Sequence, residues 1–242
     1  MQFRRKIPFE LTLTTYKLRT IENSEELKQV LALRDECFNA HIDKGEFDLN
    51  GDFLIVEDLQ KNKLCGTYRL THSDFVQNFE CEEDFNIQAL LEKSGPKLEL
   101  AWACIHPDYR NGSIVSLLWK GISEIIKIRP AKYIFGITSV KDDPNNIALI
   151  QKNLEDTSFP YKVEPLNRRS QKTDAFELLP PPLPTAKSTW RRLIPGLMRA
   201  YLMAGALICA QPSYDTDLDC YDFMTVIDVD QAADTIAHHY KL

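Results

Sequence analysis

The chain has 242 residues, 44% hydrophobic and 26% charged, with a formal net charge of -6. This composition excludes a fibrous or disordered polymer, and the acidity excludes a general nucleic-acid binder that works by neutralising phosphates. One domain spanning residues 1–242 is expected, with a Pro-rich and basic helical insertion at 180–214.

Six cysteines (Cys37, Cys65, Cys81, Cys104, Cys209, Cys220) lack the paired spacing of a zinc site, and the five histidines form no ligand set with them. No metal is expected, and free thiols fit a reducing cytoplasm. Pro8, Glu10 and Lys17 interrupt the apolar run a signal peptide needs. The most apolar stretch, Ala200–Ala210, falls short of the roughly 20 residues of a membrane span, so any membrane contact is expected at the surface.

In chain order, YKLRTI reads as a first strand and NSEELKQVLALRDECF as a helix capped by Ser24, with Leu27, Val30, Leu31, Arg34 and Phe38 on one side. An acidic loop is expected up to Asn50, then a hairpin in GDFLIVEDLQKNKLCGTYRLTHS and short helical pieces to Gly95. Leu98–Ile105 reads as a strand, Ser113–Ile128 as a helix ended before Pro130, and KYIFGITSV as a strand. A helix starting near Pro144, a stiff Pro-rich connector, a helical LIPGLMRAYLMAGALIC, the closing strand DFMTVIDVD and a last short helix complete the order. This alternation specifies a mixed α/β sheet.

At the centre lies LELAWACIHPDYRNGSIVSLLWKGI, a strand that runs through a basic, glycine-containing turn into a helix. Such a junction points free backbone N–H groups and the positive end of a helix dipole at one spot, which suits a phosphate. Arg110 supplies a cation, Asn111 and Gly112 permit unusual backbone angles, and Ser113 offers a hydroxyl or a cap. An ordinary capped turn with a solvated arginine accounts for the same residues.

HPDYRNGSIVSLLWKGI resembles the acyl-donor motif of the GNAT superfamily. More narrowly, LRDECF, FDLNGDFLIVED, GTYRL, NFECEEDFNI, LELAWACIHPDYRNG, YIFGITS and PGLMRAYLMAGALICAQPSYDTDLDCYDF follow the order found in bacterial ornithine lipid N-acyltransferases, which are related to acyl-homoserine lactone synthases. The resemblance implies an α/β (α+β) fold: a GNAT-type mixed, mostly antiparallel central sheet flanked by helices, with an additional C-terminal helical segment. It implies that Arg110, Asn111, Gly112 and Ser113 bind the acyl donor. It also implies a bulged strand that frees a main-chain N–H near Cys104 and Ile105 for the thioester oxygen. The chain departs from the family at Ala101-Trp102, where relatives usually carry Gly-Arg, and at GDF around Asp52.

Glu99 is the candidate catalytic carboxylate. Simple alternation places it on one face with Ala101, Ala103 and Ile105. There it accepts the amine proton or forms a structural ion pair with Arg69 or Arg34. Arg34 and Arg69 lie in apolar surroundings and each needs a carboxylate partner. Asp48 and Asp52 hold the ammonium groups of an acceptor or are solvated loop acids, and Trp102 borders the acceptor. Cys104 fits a small core residue better than a nucleophile, and His106 a turn better than a base.

Between Glu177 and Asp215 there is no acidic residue, whereas Lys187, Arg191, Arg192 and Arg199 fall there, close after Arg168 and Arg169. Such a stretch suits acidic acyl carrier protein, or an anionic membrane surface touched through 187–201 with Trp190, Leu193, Leu197 and Tyr201 as apolar contacts. The same residues also suit a core face with solvated bases.

The reaction expected from these readings is transfer of a long-chain acyl group from acyl carrier protein or coenzyme A to the amine of an amino acid such as ornithine. It needs no cofactor beyond that co-substrate and serves lipid synthesis. A signal synthase of the homoserine lactone type and a non-catalytic acyl-thioester binding module are the alternatives.

Overall fold

The structure is a computed structural model that describes residues 3–39, 45–141, 143–155, 159–166 and 190–232. Its elements begin with β1 (Glu10–Thr12), β2 (Tyr16–Thr20), α1 (Ser24–Phe38), α2 (Glu46–Asn50), β3 (Asp52–Asp58) and β4 (Lys63–His72). After a 3-10 turn come β5 (Phe85–Asn86), α3 (Gln88–Leu91), β6 (Lys97–Ile105), α4 (Ser113–Ile128), β7 (Tyr133–Val140), α5 (Pro144–Glu155) and β8 (Glu164–Pro165). The chain continues with α6 (Trp190–Leu193), α7 (Gly196–Met203), β9 (Leu207–Ile208), β10 (Ser213–Asp215) and β11 (Cys220–Asp228).

Backbone contacts divide the described chain into two compact units, one from residues up to 79 and 96–132, the other from 80–95 and 133–232. In the first, β1, β2, β3, β4 and β6 pair antiparallel in that order. Phe53 and Ile55 of β3 pack with Phe3, Ile21 and the α1 residues Leu27 and Val30. Leu54 faces the other way, so close to α4 that a Cβ on Gly121 would stand 2.8 Å from it. The two helices therefore cover opposite faces of the strands, as period-2 alternation in β3 requires. Buried Ile114, Leu118, Trp119, Ile122 and Ile125 form the α4 stripe, each contributing about 1.5–3 kcal/mol of apolar burial.

In the second unit β7 pairs with β11 over eight positions, from Tyr133↔Asp228 to Val140↔Tyr221, and β9 and β10 pair with β11. Val140, Ile147, Ile150, Leu154, Ile194, Met198 and Phe223 form its core. Among the described residues no helix is long and apolar enough to cross a membrane.

The strand and helix expectations hold at β2, β3, β4, β6, β7, β11, α4 and α5. Helix α1 is capped by Asn23 rather than Ser24, because the Asn23 side chain accepts from the amides of Glu25 and Glu26. The supposed loop before Asn50 contains α2, whose Asp48 side chain accepts from the Gly45 amide at the helix start. The stretch after Leu193 is not one helix. Pro195 has no amide to donate and restarts the chain as the cap of α7. Gly205 ends that turn at φ 83, and Leu207–Ile208 extends along β11. The last short helix begins at 229–232, and its remainder, the Pro-rich connector, Arg168, Arg169 and Lys187 lie outside the described residues.

Candidate active site

The residues of interest gather in the first unit around β4 and β6. Arg34 on the inner side of α1 makes a two-pronged pair with Asp48, Nη1 donating to Oδ2 at 3.0 Å and Nη2 to Oδ1 at 2.7 Å. Arg69 on β4 reaches the same Asp48 Oδ1 at 3.4 Å with Nη1, and its Nη2 lies 3.5 Å from Glu99 Oε2 on β6. All four side chains are no more than 2% exposed. The result is a buried row, Arg34, Asp48, Arg69, Glu99, in which charges alternate and sum to zero.

This alternation is what makes the burial tolerable, since an isolated ion there would be prohibitive. Burial pushes the Asp48 carboxyl up, but hydrogen bonds and charge from Arg34, with help from Arg69, hold it below its ordinary range. The α2–β3 turn closes tightly over the row. A Cβ on Gly51 would stand 2.9 Å from Arg69 Cγ and 3.3 Å from the Leu70 carbonyl oxygen, so glycine is required there.

Aromatic rings wall the row. The Arg34 guanidinium lies 4.4 Å from the centroid of Trp102, and Phe38 meets Trp102 edge-on at 5.4 Å. Phe47 lies 5.9 Å from the Arg69 guanidinium.

Trp102 marks a break in the β4–β6 ladder. Arg69 pairs with Ala101 and Thr67 with Cys104, so Trp102 and Ala103 together stand opposite Tyr68. Trp102 adopts φ 55, a left-handed conformation costly for a bulky side chain. This is a β-bulge, and it shifts the alternation by one residue. Glu99 and Ala101 therefore share their face with Cys104, not with Ala103 and Ile105 as unbroken alternation requires. The ladder break also lies at Trp102–Ala103 rather than at Cys104–Ile105, which remain in register with Thr67 and Gly66.

Beyond β6 the chain makes a tight turn. His106 Nδ1 accepts from the Asp108 amide, so the histidine is used as a turn device. The Arg110 Nε donates to the Ile105 carbonyl at 3.1 Å. Gly112, at φ 91, is the N-cap residue of α4, while Asn111 Oδ1 accepts from both the amide and the hydroxyl of Ser113. Asn111 thus holds the turn together, and Ser113 is the first residue of the helix rather than its cap. The next amides, of Ile114 and Val115, belong to the first turn of the helix, where no intrahelical acceptor exists.

Asp52 stands apart from this group. Its two oxygens accept from the amides of Lys6 and Ile7 at 2.8 and 2.9 Å, pinning the N-terminal segment to the start of β3. It is buried, not a solvated loop acid, and burial pushes its carboxyl up. Cys37 was not singled out by any motif, yet it ends α1 against β6, with Sγ donating to the Ile105 carbonyl at 3.3 Å. In the second unit Tyr201 is buried and Leu193 packs against the core, so both serve the fold rather than an apolar surface. The Trp190 and Arg191 side chains lie outside the described residues.

With this geometry in hand, comparison with known proteins is informative. Residues 25–120, which hold the charged row, the bulge and the basic turn, match the acetyltransferase (GNAT) domain family. The chain is 23% identical over 243 residues to the L-ornithine N(alpha)-acyltransferase of Rhodobacter capsulatus, covering 88% of this chain and 90% of that one. The protein of the same name from Rhizobium meliloti is 25% identical, covering 89% and 76%. Among solved structures, FeeM, an N-acyl amino acid synthase from uncultured soil microbes, aligns over 94% of this chain and 95% of its own with a TM-score of 0.53 at 8% identity. The CoA-dependent acyl-homoserine lactone synthase BjaI aligns over 90% and 83% with a TM-score of 0.50 at 12% identity. The chain thus has the GNAT fold, with the match to the acetyltransferase domain confined to residues 25–120, and is an enzyme.

Proposed function

We propose that the chain transfers a long-chain acyl group from a pantetheine thioester to the amine of an amino acid, ornithine being the acceptor suggested by the curated relatives. The carrying observation is that one strand, β6, bears the basic turn at one end, the bulge in its middle and Glu99 towards the other end. Glu99 and Ile105 pair with Thr71 and Gly66, five steps apart on β4, a span of about 17 Å with the bulge within it. An extended arm anchored at the turn by Arg110 and the α4 amides reaches the bulge along this strand.

A bulge leaves a main-chain N–H outside the ladder. Such a donor aimed at the thioester oxygen stabilises the developing oxyanion by a few kcal/mol. Holding donor and amine together contributes more, on the order of 7–11 kcal/mol. The neutral amine attacks the thioester carbon, the C–S bond breaks, and the pantetheine thiolate takes a proton as it leaves. Glu99, a buried carboxylate on the bulge side of β4, accepts the amine proton directly or through water. No covalent enzyme intermediate and no metal enters this scheme. Trp102, standing where the resembling family carries arginine, covers Arg34 and shapes the acceptor side.

Acyl carrier protein is the proposed donor, supported by the acid-free stretch between Glu177 and Asp215, in which Arg192 and Arg199 are exposed. The test is thiol release from long-chain acyl carrier protein and from acyl-CoA across free amino acids and amines, with mass spectrometry of the products. N-acylornithine formation is expected, faster from the carrier protein. Thioester binding without acceptor-stimulated release refutes the reading.

A further inference from the structure

Cys37 and Cys104 are 67 residues apart in sequence, and the α1–β6 packing brings them to one place. Cys37 Sγ donates to the carbonyl of Ile105, the residue after Cys104, at 3.3 Å, and each thiol shifts the titration of the other. Cys37 is half-buried whereas Cys104 is buried, as are Cys65, Cys81, Cys209 and Cys220. Cys37 is thus the most accessible of the six thiols, and Cys104 precedes the β6 residue whose carbonyl Cys37 touches.

Reactivity is divided between the two in the same way. The Cys104 thiol and the Arg110 guanidinium draw the Cys37 thiol below its ordinary range, while contact with Cys37 and burial push Cys104 up. A half-buried thiol beside a cation with a second thiol nearby is the environment in which oxidation is selective.

We propose that Cys37 and Cys104 are an oxidisable dithiol that closes to a disulfide when a peroxide reaches Cys37, tying the end of α1 to β6 and halting acyl transfer. The Cys37 sulfur attacks one peroxide oxygen, the O–O bond breaks, and a sulfenic acid and a water form. The Cys104 sulfur then attacks the Cys37 sulfur, and the sulfenic hydroxyl leaves with the Cys104 proton as a second water. Two thiols lose two electrons and one peroxide gains them; an external dithiol reverses the bond. The consequence for turnover rests on the proposed function, because Cys104 follows the bulge by one residue and shares a face with Glu99.

The experiment treats the full chain with hydrogen peroxide, blocks remaining thiols with N-ethylmaleimide, digests without reductant and looks for the linked peptide by mass spectrometry. Thiol release with the same sample is measured before and after dithiothreitol. A Cys37–Cys104 linked peptide, a fall in turnover of about tenfold or more, and recovery with dithiothreitol are expected. Cys37→Ser loses the response to peroxide relative to its own untreated rate. Cys104→Ala loses the recovery, because the sulfenic acid then proceeds to irreversible oxidation. Absence of the linked peptide overturns the dithiol, and a linked peptide with unchanged turnover overturns the control. If untreated protein has no turnover, the proposed function fails instead, and the linked peptide still decides the dithiol.

Discussion

The Trp102 ring lies against the Arg34 guanidinium at 4.4 Å, so a cation committed to Asp48 on one side is covered by an aromatic face on the other. Trp102 does this from a left-handed backbone conformation inside a strand. The strain of about 1–2 kcal/mol is held by the ring's contacts with Arg34 and Phe38. Trp102→Ala keeps the strained backbone and loses the ring. It is expected to lower unfolding free energy by about 2–3 kcal/mol, measured by urea denaturation. Trp102→Arg, which restores the residue usual in the resembling family, places a second cation beside Arg34 and is expected to cost at least as much unless an acidic ligand is added.

Asp48 joins both arginines of the row. Asp48→Asn keeps the shape but removes the carboxylate that Arg34 and Arg69 share, leaving Glu99 beside Arg69 alone, and is expected to destabilise by about 3–5 kcal/mol. Because its carboxyl is held below the ordinary range in the fold, the stability it contributes is present above the ordinary aspartate value and is lost as pH falls through the depressed one. Acid unfolding of the wild type below about pH 4, absent as a separate transition in Asp48→Asn, checks the sign.

In the proposed function Glu99 and the basic turn serve different steps, and kinetics would separate them. Glu99→Gln removes the proton acceptor and is expected to lower kcat by about 10²–10⁴-fold with donor KM little changed. Arg110→Ala removes a cation at the donor end and is expected to raise donor KM by about ten- to a hundredfold, corresponding to one charge-assisted contact. Wild-type kinetics in both variants would sink the site assignment.

Asp222 gives a pH dependence of opposite sign to Asp48. Burial pushes its carboxyl up to about 7; Asp84 and Asp215 add to this, and hydrogen bonds from Ser139 and Cys220 oppose it. Between the ordinary aspartate value and about 7, the folded state holds a proton that the unfolded state has released. Stability therefore falls as pH rises through that window, by up to about 1.4 kcal/mol per pH unit, and flattens above it. Asp222→Asn removes the slope, as urea midpoints measured from pH 5 to 8 would show.

Much of the fold was legible because it is written locally. The stripe Ile114, Leu118, Ile122, Ile125 with Pro130 behind it defines α4 to the residue, and the apolar runs of β3, β4, β6 and β7 need no partner to be recognised. The basic turn before α4 was legible for the same reason: Arg110, Asn111 and Gly112 are consecutive, and a glycine before a helix carries its own backbone meaning.

The charged row was only partly legible. That Arg34 and Arg69 require carboxylates follows from the cost of buried charge, but that Asp48 serves both, and Asp52 neither, is set by the folding of α2 across β4. The missed helix α2 is a single short turn held by Asp48 and Gly51, too brief for periodicity to show.

Sequence alone determined most of the elements, their order and the residue types of the basic turn and the charged row. Only the tertiary structure decided which side chains share a face. Period-2 alternation is a property of one strand, whereas a bulge arises from how two strands pair, here Trp102 and Ala103 against Tyr68, and it has no signature in either strand alone. One inserted residue turned Cys104 towards Glu99 and Cys37, because each step along a strand reverses the direction in which the side chain points.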